Sequence, residues 1–189
     1  MTNSPAEKIY LTYKTRMTTE ARLRRAALRY HLMLSWYSFC LIVVSIIDAS
    51  GKFEVAYSGI VSVGVAVLVF GLSLFLYGER YNERADQIKA CYLELKRLYE
   101  SSMAIAPKMK KYAEILSKYE NQSDTDYDEM VFDAWLRGQT LQNAQGPIEL
   151  SRPVFAKILI WRAVKGLGLA FMFALPVIAG LLWIRPIGR

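Results

Sequence analysis

The stretch VAYSGIVSVGVAVLVFGLSLFLY, residues 55–77, contains no charged side chain and indicates the class of fold. A helix rises about 1.5 Å per residue, so about 20 apolar residues cross the hydrocarbon core of a bilayer. Residues 32–47 and 166–184 form two more uncharged blocks. The first of these is short, but Arg29 and His31 can reach the headgroups while their stems stay in apolar surroundings. The sequence therefore predicts an all-α membrane protein: a transmembrane helical hairpin, a third C-terminal span and a helical cytoplasmic layer.

Basic side chains indicate which segments face the cytoplasm. Residues 1–30 hold seven Lys or Arg and residues 78–165 hold fourteen, whereas the connector 48–54 holds only Lys52. Lys and Arg near the ends of spans favour the cytoplasmic side of a membrane. We therefore expect the N-terminus and residues 78–165 inside, and the tail, residues 185–189, outside.

The segments around the three blocks complete the expected organisation. Residues 7–30 are typical of an amphipathic helix that runs into the first span. Its predicted apolar side is formed by Tyr10, Tyr13, Met17, Ala21 and Leu28. The predicted segments are a cytoplasmic amphipathic basic helix (1–30), a two-span transmembrane hairpin (31–77), a cytoplasmic helical region (78–165), a third transmembrane helix (166–184) and a short external tail (185–189).

Apolar residues beyond Tyr77 recur at alternating steps of four and three. This heptad pattern predicts that the second span continues into the cytoplasm as a helix, which packs against the N-terminal helix or a neighbouring subunit. Packing alone explains such a seam, and regulated movement of a gating helix is the second interpretation. The seam positions are Tyr81, Ala85, Ile88, Tyr92, Leu95 and Tyr99.

Two more cytoplasmic helices are predicted over residues 103–119 and 127–137. Pro147 and Pro153 bracket a looser connector to the third span. No segment shows the alternation typical of a strand.

The second span has two faces of different composition, because positions two apart on a helix lie about 200° around its axis. One face repeats glycine every seven residues and is expected to pack closely against the first span, whose serines share that spacing. The other face carries hydroxyls and predicts either helix packing or a pore lining, since single hydroxyls also bond to their own backbone. The helix-packing candidates are Ser38, Ser45, Gly64, Gly71 and Gly78. The pore-lining candidates are Ser58, Ser62, Val69 and Ser73.

Catalysis within a membrane requires ionisable groups in the spans. The three blocks contain only Cys40 of that kind, and the single histidine, His31, lies at a membrane end without a second imidazole. We therefore expect no enzyme, no metal and no cofactor. Residues 124–129 partly match a calcium loop, but Glu129 replaces its glycine and Trp135 its closing glutamate. The N-terminus of a helix, where acids are favoured by the dipole, is the better interpretation.

One basic cluster of the cytoplasmic region is interleaved with aromatic rings. Such residues suit phosphates and stacked bases, and the same composition also describes a lysine-rich helix near anionic lipid. The ligand-binding candidates are Lys108, Lys110, Lys111, Tyr112 and Lys118, with Arg137 as an outlying member.

Short tyrosine-containing motifs of the cytoplasmic region carry a resemblance to a known family. They are YNERA (81–85), YLEL (92–95) with Leu98-Tyr99, YAEIL (112–116), YEN (119–121) and Asp126-Tyr127. Together with the basic N-terminal helix and the hairpin, they resemble the SLATT family, the SMODS and SLOG-associating two-transmembrane effector domains. The resemblance is to the subfamily with a tyrosine-rich cytoplasmic region.

The resemblance implies a membrane effector of prokaryotic antiphage defence in the bacterial inner membrane. Such an effector is expected to permeabilise the membrane, and depolarisation and abortive infection would follow. An associated nucleotidyltransferase would make the oligonucleotide or cyclic nucleotide that opens or closes it. The third span departs from the two-span pattern and leaves open whether the hairpin alone forms the conducting path.

A single subunit has too few spans to enclose water, so a channel of this chain requires a homo-oligomer, for which four subunits are favoured. The main alternative is a non-conducting membrane scaffold that recruits a partner through the heptad helix. A membrane-embedded hydrolase is the weakest alternative, because the blocks lack intramembrane carboxylates and histidines.

Overall fold

The structure, a computed structural model, describes residues 5–50, 53–55, 58–121, 123–139, 141–143, 146–148 and 151–186. Most of these residues are helical. The helices are α1 (Pro5–Ala49), α2 (Ser58–Glu79), α3 (Tyr81–Glu100), α4 (Ile105–Lys118), α5 (Asp124–Leu136) and α6 (Arg152–Trp183). Stretches long and apolar enough to cross a membrane lie in α1, in α2 with its continuation, and in α6. The predicted all-α fold and its three spans are therefore confirmed.

Two short antiparallel strand pairs were not predicted. β1 (Phe53–Val55) pairs with β4 (Ile184–Pro186), and β2 (Gln142–Asn143) pairs with β3 (Gly146–Pro147). Each strand has two or three residues, too few for the alternation on which strand prediction depends. The first pair places the connector after α1 beside the segment that follows α6.

The described residues form two compact units. Unit 1 is drawn from Met1–Arg25 and Tyr81–Arg162, and unit 2 from Ala26–Arg80 and Ala163–Arg189. Helices α3, α4 and α5 belong to unit 1 and α2 belongs to unit 2, whereas α1 and α6 contribute to both.

Unit 1 has its core around the first part of α1, which packs against α3, α4 and α5. The core residues are Ile9, Leu11, Tyr13 and Leu23 of α1, Ala85, Ile88, Cys91, Leu95 and Leu98 of α3, Tyr112 and Ile115 of α4, and Met130 and Val131 of α5. Three helices cover α1, so its buried positions do not form the single stripe of a one-sided amphipathic helix. The predicted apolar side is therefore wrong in part, since Met17 is 41% exposed while Thr15 and Arg16 are buried.

The heptad seam of α3 packs inside unit 1. Its buried positions are Ala85, Ile88, Cys91, Leu95 and Leu98. Cys91 and Leu98 take the places predicted for Tyr92 and Tyr99, whose larger rings lie at the edge of the interface. The seam contacts Leu23 and other residues of α1, so its partner is the N-terminal helix of the same chain.

A single residue separates α2 from α3. Arg80 has a φ of +46°, in the left-handed region that costs a residue with a Cβ about 1–2 kcal/mol. The predicted continuation of the second span into the cytoplasmic helix is therefore interrupted at this position.

Helix α6 begins well before the third uncharged block. Pro153 lies in its first turn, where a backbone N–H would have no carbonyl acceptor within the helix, so its absence costs nothing. The fixed φ of proline also suits a helix. The prediction of a looser connector as far as Pro153 is corrected accordingly.

In unit 2, α1 supplies donors to two carbonyls of α6. Tyr37 Oη donates to Met172 O at 2.9 Å, and Trp36 Nε1 donates to Phe173 O at 2.8 Å. Met172 lies four residues before Pro176, which has no N–H to donate to that carbonyl. The hydroxyl of Tyr37 thus replaces the donor that the proline removes, as spans containing proline require.

The predicted glycine face of α2 is open within one chain. A Cβ placed on Gly64, Gly71 or Gly78 would have no atom within 4 Å, so the expected close contact with the first span is absent. Small residues on one side of a helix do not create an interface unless the partner helix approaches that side. The prediction that the glycine face packs closely against the first span is therefore wrong within one chain.

Candidate functional site

Unit 1 contains a cleft of about 310 Å³ between α1, α3 and the end of α5. Helix α1 supplies one wall from Tyr10 to Arg25, Tyr92 of α3 lies beside it, and Arg137 follows α5. The remaining lining residues are Lys14, Met17, Thr18, Glu20, Ala21, Met130, Asp133, Ala134, Gln139 and Leu141.

The turn after α5 shapes one side of this cleft. Gly138 has a φ of +67°, the left-handed conformation that commonly ends a helix. Its N–H donates to Trp135 O at 3.0 Å, and the N–H of Gln139 donates to Ala134 O at 2.9 Å. The chain then passes to Leu141, whose carbonyl accepts the N–H of Ile148 at 2.7 Å. Glycine is needed here because the reversal requires a positive φ.

The charges of the cleft are unbalanced in favour of cations. Glu20 is paired with Arg24, and Asp133 accepts from Arg162 Nη2 at 2.6 Å. Neither arginine lines the cleft. The lining cations are Lys14, Arg25 and Arg137, and within the described part of the chain none of them forms an ion pair with a carboxylate. The cleft therefore carries three cations that are not paired with a carboxylate, and two of them, Lys14 and Arg25, are about 16 Å apart along α1.

Two phenol rings stand beside these cations. Tyr10 packs edge-on to Tyr13 at 5.3 Å between centroids, and Lys14 Nζ lies 5.8 Å from the Tyr10 ring. Burial raises the pKa of the Tyr92 phenol, helped by the charge of Glu20 and opposed by Arg24. Tyr92 is thus a neutral hydrogen-bonding group at neutral pH.

A buried ion pair fixes α5 against α1 next to the cleft. The Asp126 side chain has no exposed surface, and its Oδ1 lies 2.7 Å from Arg22 Nε. Its Oδ2 accepts from Thr19 Oγ1 at 3.0 Å, from Arg22 Nη2 at 3.1 Å and from the N–H of Ser123 at 3.1 Å. The bond from Ser123 closes a capping box, which explains why α5 begins at Asp124.

Two further polar contacts hold Glu120, which lies between α4 and α5. Arg16 is buried and donates to Glu120 O, while Arg84 Nη2 donates to Glu120 Oε1 at 2.7 Å. Residues of α1 and α3 thus fix both the backbone and the side chain of Glu120. The YEN and Asp126-Tyr127 motifs therefore contribute charged groups that hold α1, α3 and α5 together.

The predicted ligand residues are dispersed. Lys108 Nζ donates to the carbonyls of Tyr99 and Ser101 at 3.0 and 2.8 Å, so it caps the end of α3. Tyr112 is buried, with its hydroxyl 2.9 Å from Thr12 Oγ1. Lys110, Lys111 and Lys118 are exposed on α4. Only Arg137 of the predicted set lines the cleft.

The predicted pore-lining residues have mixed surroundings. Ser62 and Val69 are half-buried, and Ser73 is exposed and donates to Val69 O of its own helix at 2.8 Å. Ser45 bonds to Leu41 O in the same way at 2.9 Å. The side chain of Ser58 lies outside the described residues. The hydroxyls of Ser45 and Ser73 are therefore satisfied without a partner helix or water.

Sequence reasoning missed most of the cleft, although a signal was present. Tyr10, Lys14, Ala21 and Arg25 recur at helical spacing on one side of α1. Tyr10, Met17 and Ala21 were assigned to a packing face, whereas they line the cleft. The signal is the presence of Lys14 and Arg25 on the same side of the helix as these less polar residues.

These features define a helical membrane protein of three spans with a second helical unit that contains a positively charged cleft. The chain belongs to the SMODS and SLOG-associating 2TM effector domain family 5, SLATT_5, whose model matches residues 2–186. The match confirms the resemblance and includes the third span. Comparison with curated proteins and with solved structures gave no significant match.

Proposed function

We propose that this chain is a membrane effector of prokaryotic antiphage defence that forms a homo-oligomeric ion channel. Membership of a family of effector domains with membrane spans supports this role. In the proposal the protein lies in the bacterial inner membrane with its N-terminus in the cytoplasm, depolarises the membrane and causes abortive infection. It performs no catalytic step.

The observation that carries the proposal is the uncovered second span. Val63, Val67 and Phe70 of α2 are exposed, and the glycine face of the same helix is open. Lipid can cover apolar side chains, but close approach along a glycine face requires another helix. Three spans cannot enclose water, so several subunits around an axis would cover the glycine face and form the pore. Four subunits are favoured.

The main alternative is weakened by the packing of α3. A scaffold that recruits a partner through the heptad helix needs that seam to be free. Ala85, Ile88 and Leu95 are instead buried against α1 and α4. The channel proposal does not require a free seam.

Gating is assigned to unit 1, in response to an oligonucleotide or cyclic nucleotide made by an associated nucleotidyltransferase. Unit 1 contains the cleft and most of the basic side chains outside the spans. Two chain connections carry a change there toward the spans. Helix α1 contains both a cleft wall and the first span, and Arg80 joins α3 to the second.

Planar bilayers containing the purified oligomer test the proposal. We expect ion current that changes when a nucleotide messenger is added to the cytoplasmic side. Ser62→Leu with Ser73→Leu should reduce the conductance, because larger apolar groups narrow and dry the predicted pore face. Val63→Leu, which adds the same kind of bulk away from that face, is the matched control. A correctly assembled oligomer that passes no current under any of these conditions would favour the scaffold.

A further inference from the structure

We infer that the unit 1 cleft binds a phosphate-bearing ligand about one nucleotide unit in size, with the phosphate held by Lys14 and Arg137. The binding step stands on the cleft itself, whereas its effect on current rests on the proposed function.

Charge is the first argument. The two carboxylates of the lining, Glu20 and Asp133, are each paired with an arginine outside the cleft. None of the three lining cations is paired with a carboxylate in the described part of the chain, and Arg25 uses only its Nε, in a hydrogen bond to Ala21 O at 3.1 Å. Two of them are arginines, whose planar guanidinium binds phosphate oxygens through two parallel hydrogen bonds.

Size and composition are the second argument. A volume of about 310 Å³ lies at the lower end of ligand pockets, which run from about 300 to 1,000 Å³. The cleft therefore accepts one phosphate with one ring system and leaves the rest of a longer ligand outside. Tyr10 and Tyr92 offer ring faces for a base, and Thr18 and Gln139 offer polar groups for its edge.

The lysines of α4 are a weaker site by the same criteria. Lys108 already serves two carbonyls, and Tyr112 is buried in the core. Lys110 and Lys111 are exposed beside each other and do not line the unit 1 cleft. They attract anions only through a screened surface field.

The position of the cleft gives the ligand a way to act. Lys14 and Arg25 belong to α1, and Arg137 follows α5. A phosphate bound to Lys14 and Arg137 links the end of α5 to α1, the helix that contains the first span. In the proposed channel, occupancy of the cleft therefore changes the current.

A phosphate ester can come from a soluble nucleotide or from the headgroup of an acidic phospholipid. The test separates these sources by placing the full chain in nanodiscs of pure phosphatidylcholine. Binding of 5′-phosphorylated linear diadenylate is then measured by calorimetry. A second arm repeats the titration in nanodiscs that contain phosphatidylglycerol.

We expect the Lys14→Ala, Arg137→Ala double variant to bind diadenylate at least about tenfold more weakly than the natural chain, a loss of ~1.4 kcal/mol. Arg137 is exposed and Lys14 forms no ion pair with any residue that the structure describes, so folding is retained and is checked by hydrogen exchange. Lys110→Ala with Lys111→Ala removes the same charge outside the cleft and is the matched control. Its affinity should change by less than about twofold, as expected for screened surface charge.

Competition by phosphatidylglycerol that disappears in the cleft variant would assign the phosphate to lipid and sustain the site. The inference is overturned if neither diadenylate nor phosphatidylglycerol depends on the cleft residues, or if the control variant loses as much affinity. Binding without any current contradicts the channel and leaves the site intact. Nucleotide-dependent current that the cleft variant leaves unchanged contradicts the site and leaves the channel intact.

Discussion

Removal of one hydroxyl should reveal how the third span tolerates its proline. In the natural chain Tyr37 Oη donates to Met172 O, the carbonyl for which Pro176 has no N–H. Tyr37→Phe keeps the ring and removes the donor, so this carbonyl is left without a partner in an apolar environment. An unsatisfied buried acceptor costs about 1–3 kcal/mol, and hydrogen bonds between spans measure at most about 1.7. We expect a loss of ~1.5 kcal/mol in the free energy of unfolding.

Two controls separate this effect from a general loss of packing. Pro176→Ala restores the helical N–H, so Tyr37→Phe in that background should cost less than about 0.5 kcal/mol, because the carbonyl then has its own partner. Trp36→Phe removes the side-chain donor to the carbonyl of Phe173. The residue four positions after Phe173 is Val177, which has an N–H that can bond to this carbonyl within the helix. That loss should also be smaller than the loss from Tyr37→Phe.

The measurement is unfolding in mixed micelles by titration with dodecyl sulfate, followed by circular dichroism. The coupling between Tyr37→Phe and Pro176→Ala is read from the four variants of the cycle. An equal cost of Tyr37→Phe with and without the proline would refute the assignment of its hydroxyl to the orphan carbonyl.

Four further predictions concern unit 1, each followed by hydrogen exchange of its helices in the full chain. Arg22→Ala should lower the free energy of opening of α5 by about 3 kcal/mol, because it leaves the wholly buried Asp126 without its ion-pair partner. Asp126→Ala should cost about 1 kcal/mol, from loss of the helix cap. This cost is smaller because the Arg22 side chain is 38% exposed and can turn to water. A larger cost for Asp126→Ala than for Arg22→Ala would contradict this account. Gly138→Ala should cost about 1 kcal/mol at its φ of +67°, and no change would show that the turn relaxes freely. Burial raises the pKa of the Cys91 thiol above its ordinary value of 9.0, so the folded chain keeps a proton that the unfolded chain releases. The stabilising contribution of this thiol should therefore be fully present below about pH 9 and be lost as the pH rises, and Cys91→Ala should reduce the fall in stability at alkaline pH.

The spans could be predicted because they depend on a local property. A long run without charge crosses a bilayer whatever its neighbours are, so residues 55–77 were sufficient to assign a span. The packing side of α3 was also nearly right, since Ala85, Ile88 and Leu95 are buried as the heptad requires. Tyr92 and Tyr99 were predicted to be buried in this interface, whereas their large rings lie at its edge and Cys91 and Leu98 are buried instead.

The cleft depended on contacts between distant segments. Its charge balance follows from two ion pairs, Glu20 with Arg24 and Asp133 with Arg162. The first pair has the four-residue spacing that a helix indicates, but no spacing indicates the second, whose residues lie on different helices. The pairing of Asp126 with Arg22 joins residues about one hundred positions apart. A cluster of lysines is visible in a sequence, but the sequence does not show which of them already donate hydrogen bonds, as Lys108 does.

The β1 and β4 pair has a consequence for the order in which the protein is made. A ribosome releases Phe53–Val55 long before Ile184–Pro186, and chains fold progressively from the N-terminal side during synthesis. Those backbone groups must therefore stay bonded to water while the residues between them are synthesised and the third span is inserted. The strand pair is a late step of biogenesis, and its formation marks a chain whose three spans have all reached the bilayer.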